Sequence, residues 1–378
     1  MKNFQLVPQI HTFNNFKDFA DEFKIGEGDL VLTQKFIYEP YMKSLNLKAD
    51  FIFQEKYGVG EPSDEMINEI IAAMPNKKIK RIVGIGGGTV IDISKLMVFK
   101  DVKNCLDLFE KKVPFIRDKE LIIIPTTCGT GSEVTNISIA EIKSKHTKMG
   151  LATDELFANQ AVLIPELIKG LPFKFFVSSS IDALIHAIES FVSPKASVYT
   201  EMFSVKAIEM IMKGYMEIIE KGEDYRQNLL KDFSTASNYA GIAFANAGVG
   251  AVHAMSYPLG GVYHVAHGEA NYQLFTEVFK MYNKKNPNGK IKEINTLLSN
   301  ILNLNKGEDV YTEMENVLNK LLMKKPLKEF GMKKEEIELF TDSVIESQQR
   351  LLVNNYVELS REEMIEIYTN LYQLPGKL

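Results

Sequence analysis

Along the first part of the chain, short uninterrupted apolar runs alternate with stretches of helical period. The runs Asp29–Thr33 (DLVLT), Asp50–Phe53 (DFIF), Arg81–Ile85 (RIVGI), Leu121–Pro125 (LIIIP) and Ala161–Pro165 (AVLIP) predict strands. Continuous rather than alternating hydrophobicity suits strands covered on both faces, as in a parallel sheet. Between them Met66, Ile67, Ile70, Ile71 and Met74 recur at helical spacing, with Ser63 or Asp64 available as N-cap. The alternation predicts an open α/β domain over residues 1–170.

Past Leu171-Pro172 the pattern becomes helical, predicting an all-α domain over 171–378. Ile181, Leu184, Ile185, Ile188 and Phe191 mark one amphipathic helix; Phe203, Ala207, Ile208, Ile211, Tyr215 and Ile219 mark another. Helical patterns continue through Val310–Leu322 and Glu335–Leu352, and Ser360 and Glu363 have capping-box spacing before a last helix. Lys284–Asn288 reads as a solvated loop. A cleft between the two domains is the expected place for a cofactor and substrate.

Composition narrows the class. Apolar residues at 45% and charged residues at 25% are those of an ordinary globular chain. A net charge of −5 gives no general attraction to nucleic acid. Two cysteines, Cys105 and Cys128, cannot build a disulfide framework, which points to a reducing cytoplasm. The N-terminus lacks a signal-peptide core, and no apolar run is expected to reach membrane-spanning length. The expectation is a cytoplasmic protein with neither a membrane nor a nucleic-acid partner.

Two turns carry the first candidate chemistry. Arg81–Lys95 (RIVGIGGGTVIDISK) is a buried strand, a glycine turn and a helix. Glycines admit close backbone approach, and a helix N-terminus offers unpaired N–H groups to a pyrophosphate. Gly84 and Gly86 fit the first two positions of a dinucleotide fingerprint, but Thr89 stands where the third glycine belongs. Alone, the turn reads equally as a phosphate cradle or a tight strand-to-helix connection. Pro125–Thr135 (PTTCGTGSEVT) follows another strand and supplies hydroxyls from Thr126, Thr127, Thr130 and Ser132. Two such loops at carboxyl ends of neighbouring strands favour a nucleotide.

The second candidate is a metal site. Three of the six histidines, His186, His253 and His267, join Asp182 in one constellation. Asp182 and His186 lie four apart on a helix, one turn apart on a face opposite the apolar stripe. By itself that pair also fits a solvated polar face. His253 lies in the apolar stretch GVGAVHAMSYPLGG, where an unpaired imidazole is costly, and His267 precedes a helix containing Leu274, Phe275, Val278 and Phe279. One carboxylate with three imidazoles suits Fe(II) or Zn(II).

These residues resemble the iron-containing alcohol dehydrogenases, whose fold is shared with dehydroquinate synthase and glycerol dehydrogenase. GGGTVIDISK, PTTCGTGSEVT, DALIHAIESFVS, HAMSYPLGG and HGEAN are similar to the family's motifs, in the family's order. The resemblance spans the whole chain. It implies a Rossmann-like parallel-sheet domain followed by a helical domain, in a dehydroquinate synthase-like architecture. It also implies that Asp182, His186, His253 and His267 ligate the metal. Cofactor contacts carry over to Gly87, Gly88, Thr89, Asp92, Thr126, Thr127, Thr130 and Lys148. Lys95 and Asp92 are expected to order the glycine turn, and Cys128 to be a loop residue rather than a nucleophile. FQEKYGVGEPSDEMINEI, SNYAGIAFANAGVGAVHAMSYP, YHVAHGEANY, KNPNGKIK and QQRLLVNNY look most like the 4-hydroxybutyrate dehydrogenase branch. That implies NAD-linked interconversion of 4-hydroxybutyrate and succinate semialdehyde; the expected assembly is a homo-oligomer, a dimer, although the sequence leaves the oligomeric state open.

Two positions depart from the family pattern. Where many members carry a further histidine four residues after the third ligand, this chain has Tyr257, followed by Pro258, which is expected to end the helix. Tyr257 or nearby His264 is the expected relay for the alkoxide proton or contact for the substrate carboxylate. Where NAD-preferring members often have an aspartate after a threonine, here the pair is Thr33-Gln34, which keeps NADP open beside NAD. The sequence singles out no cationic partner for a substrate carboxylate. Among five arginines Arg350 in QQRLLVNN is the most interesting, but a solvated helix-surface position is the favoured reading for it, and a lysine or backbone amides could equally hold the carboxylate. A dehydroquinate-synthase-like lyase is disfavoured by the Asp-first ligand set and the lack of a dense cationic pocket. A nucleotide or metal sensor without catalysis is disfavoured by the retention of all four ligands and both loops. A general alcohol dehydrogenase remains the alternative to the charged-substrate reading.

Overall fold

The computed structural model describes residues 3–145 and 147–373. The chain divides into two compact units, Leu6–Leu171, and Pro172–Leu378 together with Met1–Gln5. The early residues join the second unit because Phe4 stacks on Phe203 at 5.9 Å and the Gln5 amide donates to Asn246 at 2.7 Å.

The first unit contains strands β1 (Gln9–Thr12), β2 (Asp29–Thr33), β3 (Asp50–Phe53), β4 (Arg81–Gly86), β5 (Glu120–Pro125), β6 (Ile137–Ile142), β7 (Thr147–Ala152) and β8 (Gln160–Leu163). Its helices are α1 (Phe16–Glu22), α2 (Lys35–Tyr41), α3 (Asp64–Ala72), α4 (Gly88–Leu96) and α5 (Cys105–Phe109). Six strands form one parallel sheet in the order β1-β8-β5-β4-β2-β3. Successive side chains point to opposite faces, and both faces are covered. Leu30, Leu32, Ile82, Leu121 and Ile123 join one apolar core with residues of α3, α4 and α5. Val31, Val83, Ile85, Ile122 and Ile124 join another with Phe16, Phe19 and Ile37. This double burial explains the uninterrupted apolar runs. Ser63 caps α3, its hydroxyl accepting from the Met66 amide.

Several expectations need correction. The last sheet strand is Gln160–Leu163, and Pro165 opens a short 3-10 turn instead of extending it. Strand β1 and the antiparallel hairpin β6–β7 were absent from the predicted set.

The second unit is helical among the described residues: α6 (Phe173–Val192), α7 (Val198–Lys221), α8 (Leu230–Ala247), α9 (Ala251–Tyr263), α10 (His267–Lys285), α11 (Lys290–Leu302), α12 (Val310–Asn319), α13 (Glu336–Ser347), α14 (Gln349–Leu352) and α15 (Arg361–Tyr372). Helix α6 stops where Pro194 forces Ser193 into an extended conformation. It is long and apolar enough to cross a membrane, with mean hydropathy 1.4, which corrects the expectation that no segment reaches that length. Yet 89% of that window is buried inside the protein, as in a core helix. The polar face assigned to Asp182 and His186 is therefore not solvated, because α6 is buried on all sides from Ser180 to Val192. Pro258 sits inside α9 and does not end it. A proline deletes only one ladder bond, and the helix here continues to Tyr263. His267 is the first residue of α10 rather than a residue ahead of it, and Lys284 and Lys285 close α10 rather than forming a loop. The expected long helix to Leu352 breaks at Gln348 into α13 and α14. Ser360 and Glu363 do form the capping box of α15.

Candidate metal centre and nucleotide loops

In the helical unit, α6 presents Asp182, His186 and Glu189 at i, i+4 and i+7, along one face. Helix α9 adds His253 and α10 adds His267. One ligand atom from each of Asp182, His186, His253 and His267 lies within 4.8 Å of all the others. Asp182 Oδ1 is 3.9 Å from His186 Nε2, 3.6 Å from His253 Nε2 and 3.8 Å from His267 Nε2. Asp182, His186 and His253 are buried, whereas 36% of the His267 side chain is exposed.

Supporting contacts aim these donors. Glu189 accepts from the Val252 amide through one oxygen and holds His253 Nδ1 at 2.5 Å through the other. With Nδ1 so engaged, the opposite nitrogen is turned into the cluster. His253 Nε2 is buried and has no hydrogen-bond partner, an arrangement that costs free energy unless something occupies its lone pair. Asn271 donates to Asp182 Oδ1 at 2.7 Å and accepts from Ser256, whose hydroxyl also donates to the His253 carbonyl. The His186 ring stacks between Phe244 at 4.4 Å and His253 at 4.7 Å. Gly268 lets α10 press against α6: an added Cβ would lie 2.2 Å from the Ser178 carbonyl oxygen.

Electrostatics match this picture. Burial pushes the Asp182 carboxyl up, but His186, His267 and His253 outweigh it and hold the group well below the usual carboxylate range. Burial lowers His253, yet the neighbouring carboxylates of Asp182 and Glu189 prevail and raise it to about 9. A lone pair that basic takes a proton or a cation, so cation uptake near neutral pH releases a proton. The donor set, its convergence and the unpartnered Nε2 fit a first-row divalent ion. Glu189 and Asn271 were not assigned roles from the sequence, although both stand in the quoted motifs DALIHAIESFVS and HGEAN.

Tyr257, one turn beyond His253, is half-buried, with its ring 6.3 Å from that of His267. Its hydroxyl accepts a hydrogen bond from Arg350 Nη2 at 3.0 Å. His264 lies outside the ligand group: it ends α9 in the left-handed conformation, φ 53°. It lines a cavity of about 320 Å³ with Lys174, Tyr263, Glu269 and Lys325.

In the α/β unit, both loops follow the adjacent strands β4 and β5, and the Thr126 amide donates to the Gly86 carbonyl at 3.0 Å. A Cβ on Gly86 would lie 2.6 Å from Val90 Cβ, so glycine here permits close packing of α4 on its strand. Gly88 faces Thr130, whose Cγ2 would stand 3.1 Å from an added Cβ, and Gly87 faces Thr127. The Thr127 hydroxyl is buried without a partner. Thr89 donates to the Gly60 carbonyl at 2.8 Å. Lys148 on β7 pairs with Glu61 of the same segment.

Asp92 accepts from the Ser132 hydroxyl at 2.8 Å and the Ile139 amide at 3.0 Å. Lys95, wholly buried, donates to Ser132 Oγ, Thr135 Oγ1 and the Ile137 carbonyl. Burial pushes Asp92 up and lowers Lys95 to about 8. Together they tie α4 to the second loop and the hairpin. Gln34 donates to Gln54 Oε1 at 3.0 Å. Cys128 is fully buried and its thiol is pushed up by burial, the opposite of an activated nucleophile.

Residues 9–165 match the family "Iron-containing alcohol dehydrogenase", and residues 176–372 match "Fe-containing alcohol dehydrogenase family, C-terminal". The chain is 60% identical over 372 residues to 4-hydroxybutyrate dehydrogenase of Clostridium kluyveri, covering 98% of this chain and 100% of that one. It is 33% identical to long-chain-alcohol dehydrogenase 1 of Geobacillus thermodenitrificans, over 82% of this chain and 79% of that one. Among solved structures, the iron-containing alcohol dehydrogenase of Thermococcus thioreducens superposes with a TM-score of 0.83 at 26% identity, covering 98% and 100% of the two chains. The chain therefore belongs to the iron-containing alcohol dehydrogenase family, and its paired loops and Asp/His₃ cluster are those of a metal-dependent, nicotinamide-linked oxidoreductase of alcohols and aldehydes.

Proposed function

We propose that this chain interconverts 4-hydroxybutyrate and succinate semialdehyde with NAD(H), using Fe(II) held by Asp182, His186, His253 and His267. The observation that carries the reading is the convergence of one carboxylate and three imidazoles around the unpartnered Nε2 of His253. The 60% identity to a relative named for 4-hydroxybutyrate supports the substrate. When bound, Fe(II), or Zn(II) in its place, supplies the Lewis acidity that favours the alkoxide form of the alcohol and polarises the aldehyde carbonyl.

The protein's own groups do the rest. Glu189 fixes the orientation of the His253 ring, and Asn271 does the same for Asp182, so both arrive aimed. Gly87, Gly88 and Thr89 offer backbone N–H groups at the start of α4 to the cofactor pyrophosphate. Thr126, Thr127 and Thr130 supply hydroxyl and backbone contacts beside it. Asp92 and Lys95 hold the two loops in register, and Lys148 and Thr89 hold the Gly60-Glu61 segment near them. Gln34 carries no charge to repel a 2′-phosphate, so discrimination against NADP is weak, and the preference for NAD rests on the resemblance to the relatives rather than on this residue. Of Tyr257 and His264, Tyr257 is the better hydrogen-bond donor to the substrate, because its ring adjoins His267 whereas His264 lines a separate cavity.

The residue-170 boundary separates a cofactor-binding unit from a metal-binding one in this reading. A homodimer is the proposed working species, supported by the exposed apolar Val198, Tyr199 and Met202 at the start of α7. Two unpaired, buried cysteines suit the reducing cytoplasm.

The test is an anaerobic assay of metal-reconstituted protein, comparing succinate semialdehyde with butanal and NADH with NADPH. The expected result is a kcat/KM for the charged aldehyde at least about 10-fold above that for butanal, as one charge-assisted contact provides. Equal values would return the chain to general alcohol dehydrogenation.

A further inference from the structure

A substrate carboxylate needs a cation, and four of the chain's five arginines are engaged elsewhere. Arg81 grips Asp29 through two 2.6 Å bonds, and Arg361 grips Asp342 and Glu338. Arg117 donates to the carbonyls of Lys119, Glu155 and Phe157, while Arg226 lies over the rings of Phe173 and Phe176. Arg350 differs in what it adjoins. Like Arg117 and Arg226 it has no carboxylate within ion-pair distance among the described residues, but its Nη2 donates to the hydroxyl of Tyr257, one turn beyond His253, at 3.0 Å. Its guanidinium lies 5.8 Å from the centroid of the Tyr257 ring.

We propose that Arg350 binds the substrate carboxylate and so sets the preference for a terminal hydroxy acid over an uncharged alcohol. The inference rests on the reading above and names the residue behind it. Tyr257 links the guanidinium to the metal centre, its ring being 6.3 Å from that of His267. With one Nη2 proton spent on the phenol, a two-donor edge of the guanidinium remains for a carboxylate, the geometry arginine supplies and lysine does not.

The position is built by the fold. The chain breaks at Gln348 (φ −111°, ψ 24°), and the new short helix α14 carries Arg350 to α9. Just beyond it, Asn354 donates to the Val249 carbonyl at 3.0 Å and to the Arg350 carbonyl at 3.3 Å, pinning this turn to the start of α9. The guanidinium is exposed, so a ligand can reach it. A carboxylate attached directly to the reacting carbon would stay beside the four ligands. In this proposal one separated from the carbinol carbon by two methylenes extends along the Tyr257 ring, which adjoins His267 on one side and the guanidinium on the other. Tyr257 thus orients the guanidinium by accepting from it, keeping its own proton for the substrate, and Arg350 is the specificity-determining residue.

The experiment measures kcat/KM for succinate semialdehyde and for butanal in wild type, Arg350→Ala and Arg350→Lys, each matched for metal content. The ratio of the two constants should fall roughly 10- to 100-fold in Arg350→Ala, the worth of a hydrogen-bonded charge, with the loss mainly in KM for the charged aldehyde. Arg350→Lys should recover part of the ratio. Inhibition by butyrate, which carries the carboxylate without the reacting oxygen, should weaken in parallel. A ratio unchanged in Arg350→Ala, or a loss shared equally by both aldehydes, overturns the proposal while leaving the 4-hydroxybutyrate reading intact. A wild-type enzyme without preference for the charged aldehyde removes both.

Discussion

Around the glycine turn Asp92 receives two hydrogen bonds and Lys95 donates three, whereas in the helical unit His253 Nε2 is buried without a hydrogen bond, the Asp182 carboxylate standing 3.6 Å away. The supports that Asp92 and Lys95 give the nucleotide loops are complete within the protein, although the Thr127 hydroxyl beside them is buried without a partner. The metal centre is not: its donors are held in place by Glu189 and Asn271, but they face one another with lone pairs and charge in a buried space. One region is preorganised and waits for a ligand, while the other needs an ion to finish its own packing. Metal removal should therefore loosen the helical unit and spare the α/β unit, which hydrogen exchange on apo and reconstituted protein would resolve region by region.

The largest break in this contrast is His253→Ala. Losing several kcal/mol of charge stabilisation corresponds to a turnover loss on the order of 10³-fold, with bound metal falling in parallel. Full metal content and wild-type turnover in that variant would remove His253 from the centre. Next is Glu189→Gln, which keeps the shape but weakens the hold on the His253 ring. Metal affinity should drop roughly 10- to 100-fold, and excess metal should restore turnover. On the other side of the contrast, Gly86→Ala drives a methyl into Val90. It should cost about 3 kcal/mol by denaturant unfolding and raise KM for NADH, with metal content unchanged.

The smallest effect is a pH signature from Lys95. Its folded value of about 8 lies below the ordinary 10.5, so between these the unfolded chain keeps a proton that the folded chain has released. Stability of the wild type relative to Lys95→Met should therefore rise with pH across that window, by on the order of 2 kcal/mol. Chemical denaturation at pH 7.5 and pH 10 would read it; a flat or falling difference would mean that Lys95 stays charged.

What the sequence made legible follows from what each residue faces. DLVLT, RIVGI and LIIIP were readable as strands because both of their faces are covered. QIHT of β1 is short and mostly exposed, and TKMGLA of β7 buries only Leu151, so neither has an apolar signature. Periodicity found α6 but left its polar side open, since a ligand-bearing face and a solvated one carry the same letters. The four ligands could be named in advance because DALIHAIESFVS, HAMSYPLGG and HGEAN resemble the family's ligand-bearing motifs. Their convergence depends on how α6, α9 and α10 pack, including the contact that Gly268 allows, and no spacing rule contains that. Glu189 and Asn271 were visible as letters, but their work is defined only by the atoms they touch. Arg350 is the sharpest case: QQRLLVNN reads as a surface helix until the break at Gln348 sets its guanidinium against Tyr257.

The most direct measurement is calorimetric titration of metal-free protein with Fe(II) under anaerobic conditions, beside Asp182→Ala and His186→Ala. Binding of one ion per chain in the wild type, lost or weakened by at least about 100-fold in both variants, is the expected result. Undiminished binding in the two variants would place the ion elsewhere and contradict the account.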